Sequence, residues 1–159
     1  MTTMKAGERT IVIGLGNPIL RDDSVGLRVV RALQSQLEGV ADVEVSEDSH
    51  GGLRLMERLV GFQRAIIVDA IVTGAQPGTL HVLTVGGPAT QRSASAHDVD
   101  LPTALAVGRR AGAQLPESEN ILVVAIEAED VLTFGEQLSP AVEAAVPQAV
   151  GLLLAHLKE

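Results

Sequence analysis

Short apolar runs alternate with amphipathic segments from one end of the chain to the other. Residues 10–13, 65–68 and 121–126 are runs of mainly β-branched and aliphatic side chains, which is typical of strands that are covered on both faces. Residues 42–48 and 79–85 alternate polar and apolar positions, as half-exposed strands do, and the second of these could lie at the edge of a sheet. The pattern therefore predicts five strands.

Apolar residues recur at helical spacing in four further segments, near residues 25–37, 53–60, 101–110 and 142–157. Pro140 follows Ser139 and suits the first position of the last helix. Strands and helices that alternate in this way form a mostly parallel sheet with helices packed on both faces. We therefore expect one three-layer α/β domain over residues 1–159, built on a twisted sheet of about five strands.

The composition removes several classes of function. Twenty acidic against twelve basic residues give a formal charge of −8, which disfavours nucleic-acid binding because that binding needs clustered cations to neutralise phosphates. The absence of cysteine excludes disulfide scaffolds, iron–sulfur proteins, cysteine nucleophiles and thiolate zinc sites. It is compatible with the cytoplasm, where we expect the protein to work as a monomer. The longest apolar run, residues 149–157, is interrupted by Gly151 and His156, so we expect no membrane partner.

A glycine turn and two acidic residues follow the first predicted strand. The turn, residues 14–18 (GLGNP), precedes Asp22 and Asp23. The Gly-x-Gly-x-x-Gly pattern of dinucleotide sites fails at Ile19, and the two acids would repel a pyrophosphate. An acidic residue at the start of a helix commonly caps it. We assign that role to Asp22, which leaves Asp23 available for another.

Two further residues are expected to lie near Asp23. Asp69 ends the apolar run of the third strand, where it is either a turn former or part of a site. The first and third strands of a β-α-β-α-β unit are commonly neighbours, so Asp23 and Asp69 would face one crevice at the carboxyl ends of the strands. His97 follows the small, polar segment 86–96 and is either a solvent-exposed loop residue or a third member of that site. Two carboxylates and one imidazole with open positions suit Ni²⁺, Zn²⁺ or Fe²⁺ more than Mg²⁺ or Ca²⁺.

Residues 13–26 (IGLGNPILRDDSVG) resemble the N-terminal signature of the hydrogenase maturation proteases, which is a strand followed by Gly-x-Gly-Asn, an acidic pair and a glycine. The resemblance continues in His97 and in the segments 68–70 (VDA), 77–79 (PGT), 125–127 (AIE) and 138–140 (LSP). It therefore covers nearly the whole chain in the expected order.

The resemblance implies an endopeptidase that removes a C-terminal peptide from the nickel-loaded precursor of the large subunit of a nickel–iron hydrogenase, and so activates that enzyme. It implies that Asp23, Asp69 and His97 bind nickel supplied by the precursor and serve catalysis, with no organic cofactor. The attacking group would be water, activated by the metal or by a carboxylate. Many members have glutamate where this chain has Asp23 and glycine where it has Ser24. The shorter aspartate still allows ligation, with a changed geometry.

Two other functions stay open at this point. The glycine turn also resembles the start of the peptidyl-tRNA hydrolases, esterases that act on RNA, but that family needs a histidine and an asparagine shortly after the turn and a basic channel. A non-enzymatic, nickel-dependent checkpoint or chaperone would use Asp23, Asp69 and His97 without hydrolysis. Incubation with a nickel-loaded precursor separates these functions, because only a protease releases a C-terminal peptide.

Overall fold

The structure, a computed structural model, describes residues 7–85 and 100–158. Its strands are β1 (Thr10–Leu15), β2 (Val43–Asp48), β3 (Arg64–Ile71), β4 (Leu80–Thr84) and β5 (Ile121–Glu127). Its α-helices are α1 (Val25–Gln34), α2 (Gly52–Arg58), α3 (Leu101–Arg110) and α4 (Pro140–Leu157). A one-turn 3₁₀ helix, Asp22–Ser24, leads directly into α1, and a second, Ser118–Asn120, leads into β5.

The five described strands form one sheet in the order β2-β1-β3-β5-β4. All neighbours are parallel except β4, which runs antiparallel to β5 at the edge of the sheet. The chain moves outward from β1 to β2 and then crosses back to β3 on the other side of β1. That reversal places a switch point at the carboxyl ends of β1 and β3, which is where open α/β sheets bind ligands.

Helices cover both faces of the sheet. On one face, α1 and α4 pack over residues such as Val12, Ile66 and Val124, and on the other face α2 and α3 pack over residues such as Ile13 and Ile67. The side chains of each strand alternate between these two cores, since successive residues of a strand point to opposite faces. The predicted three-layer α/β architecture with a mostly parallel, five-stranded sheet is confirmed.

Helix α4 is longer and more apolar than the interrupted run 149–157 indicated. It has 18 residues and a mean hydropathy of 1.3, and among residues 7–85 and 100–158 it is the one helix that could cross a membrane by length and composition. Its buried side chains, among them Val142, Ala149 and Leu153, lie in the core that α4 shares with α1 and one face of the sheet. A helix that covers a core meets the same criterion of length and composition, and α4 is packed in that way.

Candidate functional site

The turn between β1 and α1 is held against the sheet by glycines. A Cβ atom on Gly26, in the first turn of α1, would overlap the backbone carbonyl oxygens of Leu15 and Val68. A Cβ atom on Gly16 would overlap the carbonyl oxygen of Asp23, and one on Gly14 would overlap that of Gly26. These glycines therefore let the start of α1 rest directly on the carboxyl ends of β1 and β3.

Asp23 lies in the 3₁₀ turn at this contact and is buried, with 6% of its surface exposed. Its Oδ2 atom accepts a hydrogen bond of 3.0 Å from the backbone N–H of Asn17. The side-chain oxygen of Asn17 in turn accepts the N–H of Ile19 at 3.1 Å, which closes the glycine turn on itself. Asn17 thereby fixes the carboxylate of Asp23 at the end of β1.

Asp69 lies within β3 rather than in the turn that follows it. The strand continues to Ile71, and Asp69 pairs in register with Ala125 of β5. Its side chain is 2% exposed, and its Oδ1 atom accepts the N–H of Ala70 at 2.8 Å. The turn-former reading of Asp69 is therefore wrong. A carboxylate buried in a strand at the switch point has a cost of desolvation that a turn residue does not have.

The contact of Gly26 with Val68 brings Asp23 and Asp69 to the same end of the sheet. Val68 directly precedes Asp69, and Asp23 lies one helical turn before Gly26. Both carboxylates are thus at the carboxyl ends of β1 and β3, as the topology predicted. His97 lies outside the described residues. Within residues 7–85 and 100–158, no three His, Asp or Glu side chains are grouped so that they could hold a metal ion.

Asp22 does not cap α1. The residues that precede the 3₁₀ helix and α1 are Arg21 and Ser24, and neither makes a side-chain capping bond. Asp22 is fully buried, and its Oδ2 atom accepts the backbone N–H groups of Glu129 and Asp130, each at 2.9 Å. Ser139 adds its N–H to Oδ1 at 2.7 Å and its hydroxyl to Oδ2 at 2.8 Å. Asp22 is thus a structural residue, as expected, but it fastens the loop before α4 to the turn that follows β1.

A fourth buried acid among the described residues, Glu127, ends β5 at the same end of the sheet. It is 1% exposed. Its Oε2 atom accepts the N–H of Thr73 at 2.7 Å, and its Oε1 atom accepts the Thr73 hydroxyl at 2.6 Å. The Nε2 atom of His81 lies 3.0 Å from the same Oε1 atom. Burial raises the pKa of Glu127, but the hydrogen bonds from Thr73 and His81 outweigh it and hold the pKa below its ordinary value.

A polar cleft of about 390 Å³ opens beside the glycine turn, on the β2 side of the edge. Arg31 makes a two-pronged ion pair with Glu47 at 2.8 and 2.9 Å, and Arg58 pairs with Asp48 at 3.1 Å. Burial raises the pKa of Asp48, but its hydrogen bonds with His50 and the charge of Arg58 hold that pKa below its ordinary value. This charged cleft thus adjoins the glycine turn at Gly16 and Pro18, and Asp23 and Asp69 are not among the residues that line it.

The fold and the carboxylates together define a class of protein. It is a three-layer α/β protein with two buried carboxylates at the switch point of a mostly parallel sheet. The family model of the hydrogenase maturation proteases matches residues 27–156 of the chain. The Hydrogenase 2 maturation protease of Escherichia coli (strain K12) is 31% identical over 155 residues, which are 95% of this chain and 92% of that protein. The chain therefore belongs to the hydrogenase maturation protease family, and it is a peptide hydrolase.

Solved structures agree with this assignment. The hydrogenase maturating endopeptidase HybD from E. coli is similar with a TM-score of 0.74 and 28% identity, over 94% of this chain and 91% of that chain. The [NiFe] hydrogenase maturation protease HybD from Thermococcus kodakarensis is similar with a TM-score of 0.71 and 27% identity, over 94% and 99% of the two chains. The expected fold and the expected class of enzyme are confirmed, and the peptidyl-tRNA hydrolase and checkpoint alternatives are not favoured.

Sequence reasoning missed the pair formed by Glu127 and His81. It placed His81 in an alternating strand and used Glu127 only as part of a weak family segment. A signal was nevertheless present, because Glu127 ends the apolar run 121–126 just as Asp69 ends the run 65–68. A carboxylate at the carboxyl end of a buried strand is a candidate for the site wherever it occurs in such a sheet.

Proposed function

We propose that the protein matures a nickel–iron hydrogenase by hydrolysing one peptide bond near the C-terminus of the nickel-loaded precursor of the large subunit. Family membership supports the class of reaction, and the similar protease from T. kodakarensis carries [NiFe] hydrogenase in its name. The cysteine-free composition supports a reducing compartment, and we propose that the protein acts in the cytoplasm as a monomer.

The nickel of the substrate is the group that Asp23, Asp69 and His97 would contact. The observation that carries this assignment is the burial of two carboxylates, Asp23 and Asp69, at one edge of the sheet. Buried carboxylates are costly unless they are paired, hydrogen-bonded or bound to a metal. The backbone N–H groups of Asn17 and Ala70 hold these two carboxylates in position at the carboxyl ends of β1 and β3. An imidazole from His97 would complete an O₂N set that suits nickel.

Recognition and cleavage would then depend on the same contact. A precursor that lacks nickel offers no metal ion for the two carboxylates to bind, so it would bind poorly and stay uncut. A loaded precursor is held with its scissile bond at the carboxyl edge, where water attacks the carbonyl carbon. Either the nickel of the substrate or one of the carboxylates activates that water. The same metal thus serves as a check on the substrate and as its docking point.

The test is to incubate the protein with nickel-loaded and with metal-free precursor and to detect the released C-terminal peptide by mass spectrometry. Release from the loaded precursor only is the expected result. A checkpoint without hydrolysis would bind the loaded precursor and release nothing, which would overturn the proposal.

Isosteric variants make this test specific for the carboxylates. Asp23→Asn and Asp69→Asn keep the size of each side chain and one oxygen for its backbone hydrogen bond, but they remove the charge that binds nickel. We expect each to lower cleavage at least about 100-fold. Asp42→Asn is the matched control. Asp42 directly precedes β2 and so lies at the amino ends of the parallel strands, away from Asp23 and Asp69. It has a positive φ of 65°, which asparagine tolerates well. Equal loss of cleavage in all three variants would contradict the assignment.

A further inference from the structure

A histidine–glutamate pair that the proposed nickel site does not use lies at the carboxyl ends of the strands. Glu127 is buried at the end of β5, and the ring of His81 on β4 is 3.0 Å from its Oε1 atom. The side chain of Glu127 is 1% exposed, whereas that of His81 is 25% exposed. The pair therefore joins a buried carboxylate to an imidazole that is partly exposed to solvent.

The strand register places His81 in one row with Asp69. Ala125 of β5 pairs with Asp69 of β3 on one side and with His81 of β4 on the other. Residues that are paired across neighbouring strands point to the same face, so Asp69 and His81 both lie on the face covered by α2 and α3. Adjacent strands are about 4.8 Å apart, which puts the two Cα atoms roughly 10 Å from each other.

The hydrogen bonds of Glu127 determine which atom of the His81 ring is available. Thr73 satisfies both oxygens of Glu127, through its N–H and its hydroxyl. Glu127 therefore stays bound when His81 is altered, and it accepts the Nε2–H of the histidine as an additional bond. The Nδ1 atom is the ring nitrogen that this pair leaves for chemistry at the edge. The protonated ring carries an N–H group at both nitrogens, so it can donate from Nδ1 while Nε2–H stays bonded to Glu127.

Hydrolysis of a peptide bond needs a proton at the nitrogen that leaves. Water forms the new bond to the carbonyl carbon and gives up one proton to a base, and the carbon–nitrogen bond then breaks with its electron pair on nitrogen. In the proposed complex the carboxylates of Asp23 and Asp69 would bind nickel, so another group has to supply this proton. We propose that His81, oriented by Glu127, donates the proton from Nδ1 to this leaving nitrogen. This inference rests on the proposed function, because it assigns a role in the same cleavage.

The decisive variant is His81→Gln. Glutamine can donate a side-chain N–H to Glu127, so the link between β4 and β5 is kept while the transferable proton is lost. We expect kcat for the nickel-loaded precursor to fall about 100-fold with KM changed less than about twofold, since general acid catalysis contributes at least that much. We also expect the wild-type rate to fall at alkaline pH as the donor loses its proton, and the residual activity of the variant to lack that fall.

A precursor with an ester at the scissile position separates proton donation from a structural role. An alkoxide leaves more readily than an amine that is not protonated, so the ester depends less on a proton donor. For His81→Gln we expect the amide rate to fall about 100-fold and the ester rate less than about 10-fold. His156→Gln makes the same change on α4 and should leave both rates unchanged. The ratio of the two rates does not depend on how much of a variant is folded.

Glu127→Gln gives a second line of evidence. If Glu127 acts through His81, then the double variant should be no slower than the slower single variant, because residues that work as one unit lose their effect together. Equal falls in the amide and ester rates of His81→Gln, or wild-type cleavage of the amide by that variant, would overturn the inference and leave the proposed function standing. Failure of wild type to cleave loaded precursor would instead overturn the proposed function.

Discussion

Ser139 donates both its backbone N–H and its hydroxyl to the carboxylate of Asp22, 117 positions earlier in the chain. Together with the N–H groups of Glu129 and Asp130, these bonds give one buried carboxylate four donors. The loop that enters α4 is thereby fastened to the turn that carries Asp23. Three of these four hydrogen bonds come from backbone amides, so the buried carboxylate is stabilised mainly by main-chain donors.

Asp22→Ala should destabilise the protein by at least about 3 kcal/mol, because it leaves buried N–H groups without acceptors. Loss of a helix cap would cost only about 1 kcal/mol. The chain has no tryptophan or tyrosine, so urea unfolding is best followed by far-UV circular dichroism. Ser139→Ala is the control, since it removes one donor of the four and should cost about 1 kcal/mol. A cost for Asp22→Ala no larger than that of Ser139→Ala would contradict this account.

Gly26→Ala should impair both stability and cleavage. The added Cβ atom would meet the carbonyl oxygens of Leu15 and Val68, so α1 must move away from the sheet and take the Asp23 turn with it. We expect a loss of about 2–3 kcal/mol in urea unfolding and a fall in kcat for loaded precursor. Gly151→Ala tests the same substitution where nothing lies near the new atom, on the exposed side of α4. It should stabilise the protein by up to about 1 kcal/mol and leave cleavage intact.

The sequence predicted the fold and the two carboxylates of the edge for a simple reason. Strands covered on both faces read as continuous apolar runs, and their order sets the switch point at the carboxyl ends of β1 and β3, where Asp23 and Asp69 lie. The role of Asp22 was assigned wrongly, because its partners lie 107 to 117 positions away and no local pattern encodes them. For the same reason, the sequence did not predict the pairing of His81 with Glu127. It depends on the antiparallel register of β4 on β5, which local spacing does not specify.

Glu127 should make the stability of the protein depend on pH in the acid range. Its pKa in the folded protein lies below the ordinary value of about 4.5, so the folded state binds the proton less well than the unfolded chain. The stabilisation is therefore fully present above about pH 4.5 and is lost as the pH falls through the lower, folded pKa. The free energy of unfolding of wild type minus that of Glu127→Gln should shrink between about pH 5 and about pH 3. A difference that stays constant over this range would contradict the direction of the shift.

His97 is the member of the predicted nickel set that lies outside the described residues, and its variants test the set by chemistry. An imidazole binds a metal only when it is unprotonated, so acid should compete with nickel and weaken cleavage of loaded precursor by wild type. His97→Ala should abolish this cleavage. We expect little change in the free energy of unfolding, because the predicted loop position contributes little to core packing.

His97→Gln is the sharper test of the same residue. The amide oxygen of glutamine can keep a hydrogen bond but is a far poorer nickel ligand than an imidazole, so we expect it to restore no cleavage. The residual rate should also lack the weakening in acid that we expect of wild type, because the imidazole that would bind the proton is gone. His156→Gln serves as the control for the substitution itself. Near-normal release of the C-terminal peptide by His97→Gln would show that this histidine is not a ligand, and recognition of nickel would then depend on Asp23 and Asp69.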